Sequence, residues 1–506
     1  MRLWLADTSE VHAVAKRWIG CAVMLWVAAA AGADGGAMKS GAGLLNDWLR
    51  NESEAMKAWD IGGELRVRYT DSVGAVPAAS FMTSRPAGIR PLTTPINPNT
   101  DFISNGQVNN NEELWIREKV HVGYSPTSWV TVYGEMRNNN MFWDERFPSP
   151  DANDCDLQQA YVQLGDPADF PLVGKVGRQE LIYGDMRFIG NAPWIMAGRV
   201  FDAAKLRYVT DTFWVDAFAG HVVVARDGHF NESNDYDWFS GVYASSQTLL
   251  PWQDTQFYVL SRNAGAQAVS AFDFNVPGAP TTARDIITAG FRFKSLPDKL
   301  GGWDYTLEAA GQCGSIYNST LGTRLDQQSY GVFAIGGYTW TNLWASPRLG
   351  AGYEGGSGDD NPTDGTSGTF ENLFPANHRY YGQMDLVCQR NMHIPRISLS
   401  LSPLKNLTVT MDYLNFWLAD TNDFLYPYSG SGRNANGYGI HPTYSSYVGS
   451  ELDVIARYTP KIWLRLEAGF GHFFVGDYIK QSVGSVAANG NAVDANWCYV
   501  QTTVSF

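Results

Sequence analysis

The chain has 506 residues and a formal net charge of −14, with 51 Gly, 25 Tyr, 25 Phe and 18 Trp but only 17% charged residues. Such an acidic balance argues against a nucleic-acid partner, and after Ala33 no stretch approaches the ~18 uninterrupted apolar residues that a membrane helix requires. Abundant aromatics with a negative mean hydropathy suit girdles at two membrane interfaces around a polar lumen; an exported β-sandwich or β-propeller enzyme is the alternative.

In chain order, Arg2, Lys16 and Arg17 precede the apolar run Trp18 to Ala31, and Ala31-Gly32-Ala33 supplies a small-x-small cleavage site. This predicts a secretory signal peptide over 1–33. Cys21 follows Lys16-Arg17 with no apolar run ahead of it, which discounts a lipoprotein signal. Residues 34–60 read as a periplasmic leader in which Leu44 to Trp59 has the pattern of a short amphipathic helix.

From Ile61 to Phe506 the sequence reads as paired segments of alternating polarity, the period of a strand with water on one side and lipid on the other. In Glu64-Leu65-Arg66-Val67-Arg68 the charged residues share one face. Arg117, Lys119 and His121 oppose Ile116, Val120 and Val122, and Ser125 to Ser128 turn the chain into Val130 to Arg137. The same hairpin design recurs at Thr210 to Thr212, Thr341-Asn342 and Thr459 to Lys461. Between hairpins lie long polar connections, Asn138 to Asp154, Glu354 to His378 and Ala419 to Tyr447. Short turns alternating with long loops predict an all-β fold: a single transmembrane antiparallel β-barrel of about 18 strands, with periplasmic turns and external loops. In Asn496 to Phe506, Val504, Thr502, Val500 and Cys498 share one face and Ser505, Thr503, Gln501 and Tyr499 the other. An aromatic last residue suits the strand that seals such a barrel.

Several segments resemble the alginate export family of outer-membrane barrels. They are GRQELIYGDMRFIG (Gly177 to Gly190), GRVFDAAKLRY (Gly198 to Tyr208), ENLFPANHRYYGQMD (Glu371 to Asp385), LKNLTVTMDYLNFWLAD (Leu404 to Asp420) and LRLEAGFGHFFVGDYIK (Leu464 to Lys480). The resemblance spans about Ile61 to Phe506. It implies a monomeric barrel of the bacterial outer membrane that passes an anionic uronate polymer through a basic constriction, with Arg178, Arg187 and Arg199 of the matching segments at that constriction.

Strand alternation independently places Arg66, Arg68, Arg117, Lys119, Arg137, Lys205, Arg207, Arg457 and Arg465 inward, and Arg is the side chain that pairs a carboxylate in bidentate fashion. Glu135, Glu180, Asp185, Glu308 and Glu467 are expected inward as well, and mixed signs hold lumenal side chains in place. Asp359, Asp360 and Asp364 do not match a twelve-residue Ca²⁺ loop and read as a solvated external loop. The His residues lack zinc spacing and no G-x-S-x-G is present, so no catalytic site, metal or cofactor is expected. Cys155, Cys313, Cys388 and Cys498 form no metal-ligand pattern and read as isolated thiols. The expected function is a channel for an acidic polysaccharide; a porin for small anions or oligosaccharides is the alternative, and a barrel enzyme or adhesin the third. Expected partners are an acidic polysaccharide or small anionic solute, outer-membrane lipid and lipopolysaccharide, and periplasmic export-complex proteins.

Overall fold

The computed structural model describes residues 44–76, 101–104, 109–144, 152–225, 228, 230–268, 282–318, 321–428, 430 and 432–506. The signal peptide expected at 1–33, with Cys21, lies outside these residues. A helix, α1 (Leu44–Glu52), and a single 3₁₀ turn (Glu54–Ala58) lead into the first strand. Asn46 ties the helix to that strand, donating to Asp60 and accepting from the Ile61 N–H, each at 2.6 Å.

The strands are β1 (Trp59–Val73), β2 (Asn111–Thr127), β3 (Val130–Phe142), β4 (Asn153–Leu164), β5 (Leu172–Gln179), β6 (Phe201–Val209), β7 (Trp214–Val224), β8 (Glu232–Leu250), β9 (Gln253–Ala264) and β10 (Arg284–Ser295). They continue as β11 (Trp303–Asn318), β12 (Thr323–Thr339), β13 (Arg348–Gly356), the two-residue β14 (Thr366–Ser367), β15 (Met392–Leu404), β16 (Leu407–Leu418), β17 (Tyr447–Lys461), β18 (Leu464–Val475) and β19 (Ala495–Ser505). A second helix, α2 (Asp477–Gly484), lies between the last two. Every strand except β14 pairs antiparallel with its chain neighbours, and β1 pairs with both β2 and β19. The result is a closed antiparallel barrel of 18 strands, which leaves no unpaired edge in lipid. β14 is an appendage laid parallel on β12.

Alternation explains the wall. Along β1, Arg66, Arg68, Thr70 and Ser72 are buried inward, whereas Val73 is exposed. Along β19, Trp497, Tyr499, Gln501 and Thr503 are buried, and Cys498, Val500 and Thr502 face outward. The outward face is apolar, with Val132, Val162, Leu206, Val259, Leu349 and Ile397 all exposed. The ring closes at its last residue: Phe506 and Gly63 exchange backbone hydrogen bonds of 3.0 and 3.1 Å. A Cβ on Gly62 would stand 2.5 Å from the Phe506 carbonyl oxygen, so only glycine allows this approach. Val500→Arg should destabilise the barrel by about 2–4 kcal/mol, read as a lower urea midpoint in vesicles, because the charge enters the lipid face near mid-strand.

Three turns differ from the sequence expectation. Ser125 to Thr127, expected in the first turn, belong to β2, where the pairing shifts register, and that turn falls at Ser128-Trp129. The strand expected to resume at Leu343 begins instead at Arg348, because Ala345 and Ser346 take positive φ (62° and 41°) and Pro347 follows. Thr459 to Lys461 lie within β17, where the pairing shifts register, and the turn falls at Ile462-Trp463. The loop expected from Asn138 is also shorter, since β3 runs on to Phe142. Cys155, Cys313 and Cys498 are exposed free thiols, and Cys388 is a buried one.

Candidate functional site

Two long connections fold into the barrel and fill its middle. One, residues 180–200, joins β5 to β6; the other, residues 357–391, joins β13 to β15 and includes β14. They pair with each other through a parallel bridge between Ile189 and Phe374, and the Ala376 N–H donates to the Met186 carbonyl at 2.9 Å. Phe188, Phe370 and Phe374 pack against inward Phe201, Phe239 and Phe333 of the wall. The apolar core of this protein therefore lies inside the barrel.

Polar anchors bind both loops to the wall. Arg66 and Arg68 of β1 donate to the carbonyls of Pro193 (2.8 Å) and Trp194 (2.6 Å). Asp185 meets Arg292 at 2.7 Å and Lys294 at 2.9 Å. Burial alone would raise the Asp185 carboxyl, but these two cations outweigh it and hold it at about 2. Arg187 reaches Glu354 at 3.1 Å and Glu308 at 3.8 Å. Arg199 donates to the Pro375 carbonyl at 2.8 Å, joining the two loops. Glu371 contacts Arg262 of β9, Arg284 of β10 and, at 3.9 Å, Arg390. The backbone N–H groups of Gln383 and Met384 donate to Asp453 (3.1 Å) and Glu451 (2.9 Å) on β17.

The three arginines of the resembling segments do not converge on one ring. Arg178 was expected in the lumen. By strand period it shares the face of Val176 rather than that of Lys175 and Gly177, yet it is buried within the wall. There it pairs with Asp202 at 2.8 Å and donates to the Asn231 carbonyl at 3.1 Å. Arg187 and Arg199 belong to the inner loop. On the inward wall, Arg117 meets Glu64 at 2.6 Å, Lys119 meets Glu135 at 3.1 Å, and Arg137 donates to Gln158 and Asn153. Arg207 forks onto Asp216 at 2.6 and 2.8 Å, and Lys205 lies 3.8 Å from the same carboxylate.

Toward the short turns a cavity of about 680 Å³ opens. Arg66, Arg348, Arg396, Arg457 and Arg465 line it against two carboxylates, Asp412 and Glu467. Arg396 pairs with Asp412 at 2.6 Å and Arg348 with Asp304 at 2.5 Å; Arg457 pairs with Glu467. Arg465 makes no ion pair among the described residues. Ser398, Ser400, Thr410 and Tyr499 add hydrogen-bonding groups. Trp194 forms part of the roof, held between the Arg68 guanidinium (3.5 Å) and the His378 ring (3.7 Å, 7° between planes). Arg348 and Arg396 were missed from sequence: one was hidden by the misplaced turn, the other by Pro395, although its alternation with Ser398 and Ser400 was readable.

Among the described residues no group of three or more His, Cys, Asp or Glu could hold a metal ion. Asp359, expected in a solvated loop, is instead buried, its N–H donating at 3.1 Å to Asp423 of the connection between β16 and β17.

A closed 18-stranded antiparallel barrel with an apolar outer band, short turns at one end and an inward polar face defines an outer-membrane channel-type protein. The chain matches the alginate export family over residues 108–493, and it belongs to that family. No curated protein matches it in sequence. Similar solved structures include the outer membrane protein OpdK from Pseudomonas aeruginosa, with 11% identity over 88% of this chain and 98% of that one and a TM-score of 0.52. OpdO from the same organism has 11% identity over 89% and 97%, with a TM-score of 0.51. OpdK with vanillate has 11% identity over 88% and 98%, with a TM-score of 0.50.

Proposed function

We propose that this protein is a passive channel for an acidic polysaccharide of the polyuronate type. The observation that carries this reading is the cavity at the short-turn end, where five arginines face two carboxylates. A polyuronate bears one carboxylate per sugar, and the planar guanidinium pairs with a carboxylate through two parallel hydrogen bonds. Flanking hydroxyls suit the sugar's own hydroxyls, and membership in the alginate export family supports the same substrate class. The lining works by electrostatic complementarity, with no turnover step.

A porin for small anionic solutes is the second reading, favoured by the two loops that fill the middle of the lumen. Single-channel recording in planar bilayers separates the two. Trimannuronate should block the anion-selective current of the wild type. Arg348→Gln with Arg465→Gln should weaken that block roughly tenfold or more, the scale of a lost charge-assisted hydrogen bond. Current blocked by vanillate but indifferent to trimannuronate would leave the porin.

A further inference from the structure

On the wall across from the arginine cavity, near the same short turns, Lys175 of β5 and Lys205 of β6 are direct cross-strand partners on the inward face. Like charges directly opposite in an antiparallel pair destabilise it, so their partners matter. Asp216 lies 3.8 Å from Lys205, but it already accepts the two Arg207 bonds and, at 2.8 Å, the Tyr183 hydroxyl. Lys175 meets no carboxylate within ion-pair distance among the described residues; its ammonium rests 3.4 Å from the centre of the Tyr161 ring. Tyr161 is in turn stacked on Tyr133, with ring centres 5.0 Å apart. Lys205 and Arg207 thus share Asp216, Lys175 has among the described residues only the more distant charge of Glu180, and an aromatic shelf fixes this least neutralised of the three cations in place. Both lysines are half-buried on the inward face.

We propose that Lys175 and Lys205 form an anion subsite that takes a carboxylate of an acidic sugar entering or leaving at the short-turn mouth, with Tyr161 as the residue that positions Lys175. A bound carboxylate between the two ammonium groups converts a repulsive register pair into an attractive bridge. This rests on the polyuronate reading above and adds a second contact on the opposite wall, so that one chain is held from two sides.

The test compares the full-length wild type with Lys175→Gln/Lys205→Gln and with Lys175→Arg/Lys205→Arg. Trimannuronate added at the short-turn side should bind the Gln variant about tenfold more slowly in single-channel records, and the Arg variant should recover the wild-type rate. Neutral mannotriose should not distinguish the three. Equal block of wild type and Gln variant would overturn the subsite while leaving the channel reading intact. If trimannuronate blocks none of them, the channel reading fails, and calorimetric titration of the sugar acid into detergent-solubilised protein decides the subsite separately. Binding lost only in the Gln variant supports it; no binding, or binding indifferent to the substitutions, overturns it. The Gln variant should also melt no lower than the wild type, since the substitutions remove a repulsion. A lower melting temperature would mean that the lysine pair is already satisfied within the protein, and the proposal would fall.

Discussion

Excising residues 180–200 and joining β5 to β6 by an Asn-Gly turn is expected to raise single-channel conductance several-fold while leaving the barrel closed. Gln179 and Phe201 are cross-strand partners at the point where the loop departs, so a two-residue turn of the type that matches strand twist can connect them. The ring of strands does not depend on the loop, because each of its hydrogen-bonded neighbours lies outside it. The lumen does depend on it. Removing the loop takes away Phe188, the Ile189–Phe374 bridge and the Asp185 and Arg187 ion pairs. The connection at 357–391 then loses its main partner at the barrel centre, and both obstacles loosen together. Heat-modifiable electrophoretic migration should still report a folded barrel, and selectivity among anions should fall as the open section widens toward that of a water-filled porin. Unchanged conductance in a folded variant would mean that this loop does not set the narrowest section.

The wall was legible from sequence and the plug was not, for a reason that lies in the range of the interactions. A transmembrane strand declares itself locally: Leu65 and Val67 against Arg66 and Arg68, or Val500 and Thr502 against Gln501 and Thr503, need no knowledge of the partner strand. The same period, applied strictly, would have set Arg178 on the face of Val176, opposite that of Lys175; the family segment outweighed it and misplaced Arg178. The loops carry no such period. Arg66 meets Pro193 and Arg68 meets Trp194 across more than a hundred residues of chain, and no spacing rule predicts those contacts. A partial signal was present. Phe370 and Phe374 are large apolar residues in a connection otherwise rich in Gly, Asn and Asp, Phe188 stands in a connection that also holds Leu181, Ile189, Trp194 and Ile195, and an external loop exposed to water has no use for them. Read that way, they mark loops that turn inward. Arg348 was lost for another local reason, since the positive φ of Ala345 and Ser346 is invisible in residues that normally avoid it.

Glu371→Gln is expected to cost about 3–5 kcal/mol of stability at pH 7, the penalty for leaving buried charges without their counter-ion. The carboxylate sits among three arginines, Arg262, Arg284 and Arg390, and Arg262 also pairs with Asp237, at 2.6 Å. The backbone of Glu371 is pinned as well: its N–H donates to Gln312 at 2.7 Å and its carbonyl accepts from the same side chain at 2.9 Å. A glutamine therefore keeps the segment on the wall of β9 to β11 but fails to neutralise it, and the loss appears as a lower urea midpoint together with noisier, larger channel current. The pH dependence gives an independent check. Burial alone would raise this carboxyl, yet Arg284, Arg390 and Arg262 outweigh burial and lower it from 4.5 to about 2. A carboxyl lowered on folding contributes stability that is complete above the unfolded value and is lost as pH falls through the folded one. The wild type should thus keep its full advantage over Glu371→Gln above roughly pH 5. That advantage should shrink as pH falls, until at about 2 the two proteins converge. A difference that stays constant down to pH 2 would assign the effect to lost packing and remove the arginine cluster from the account of how the plug is held.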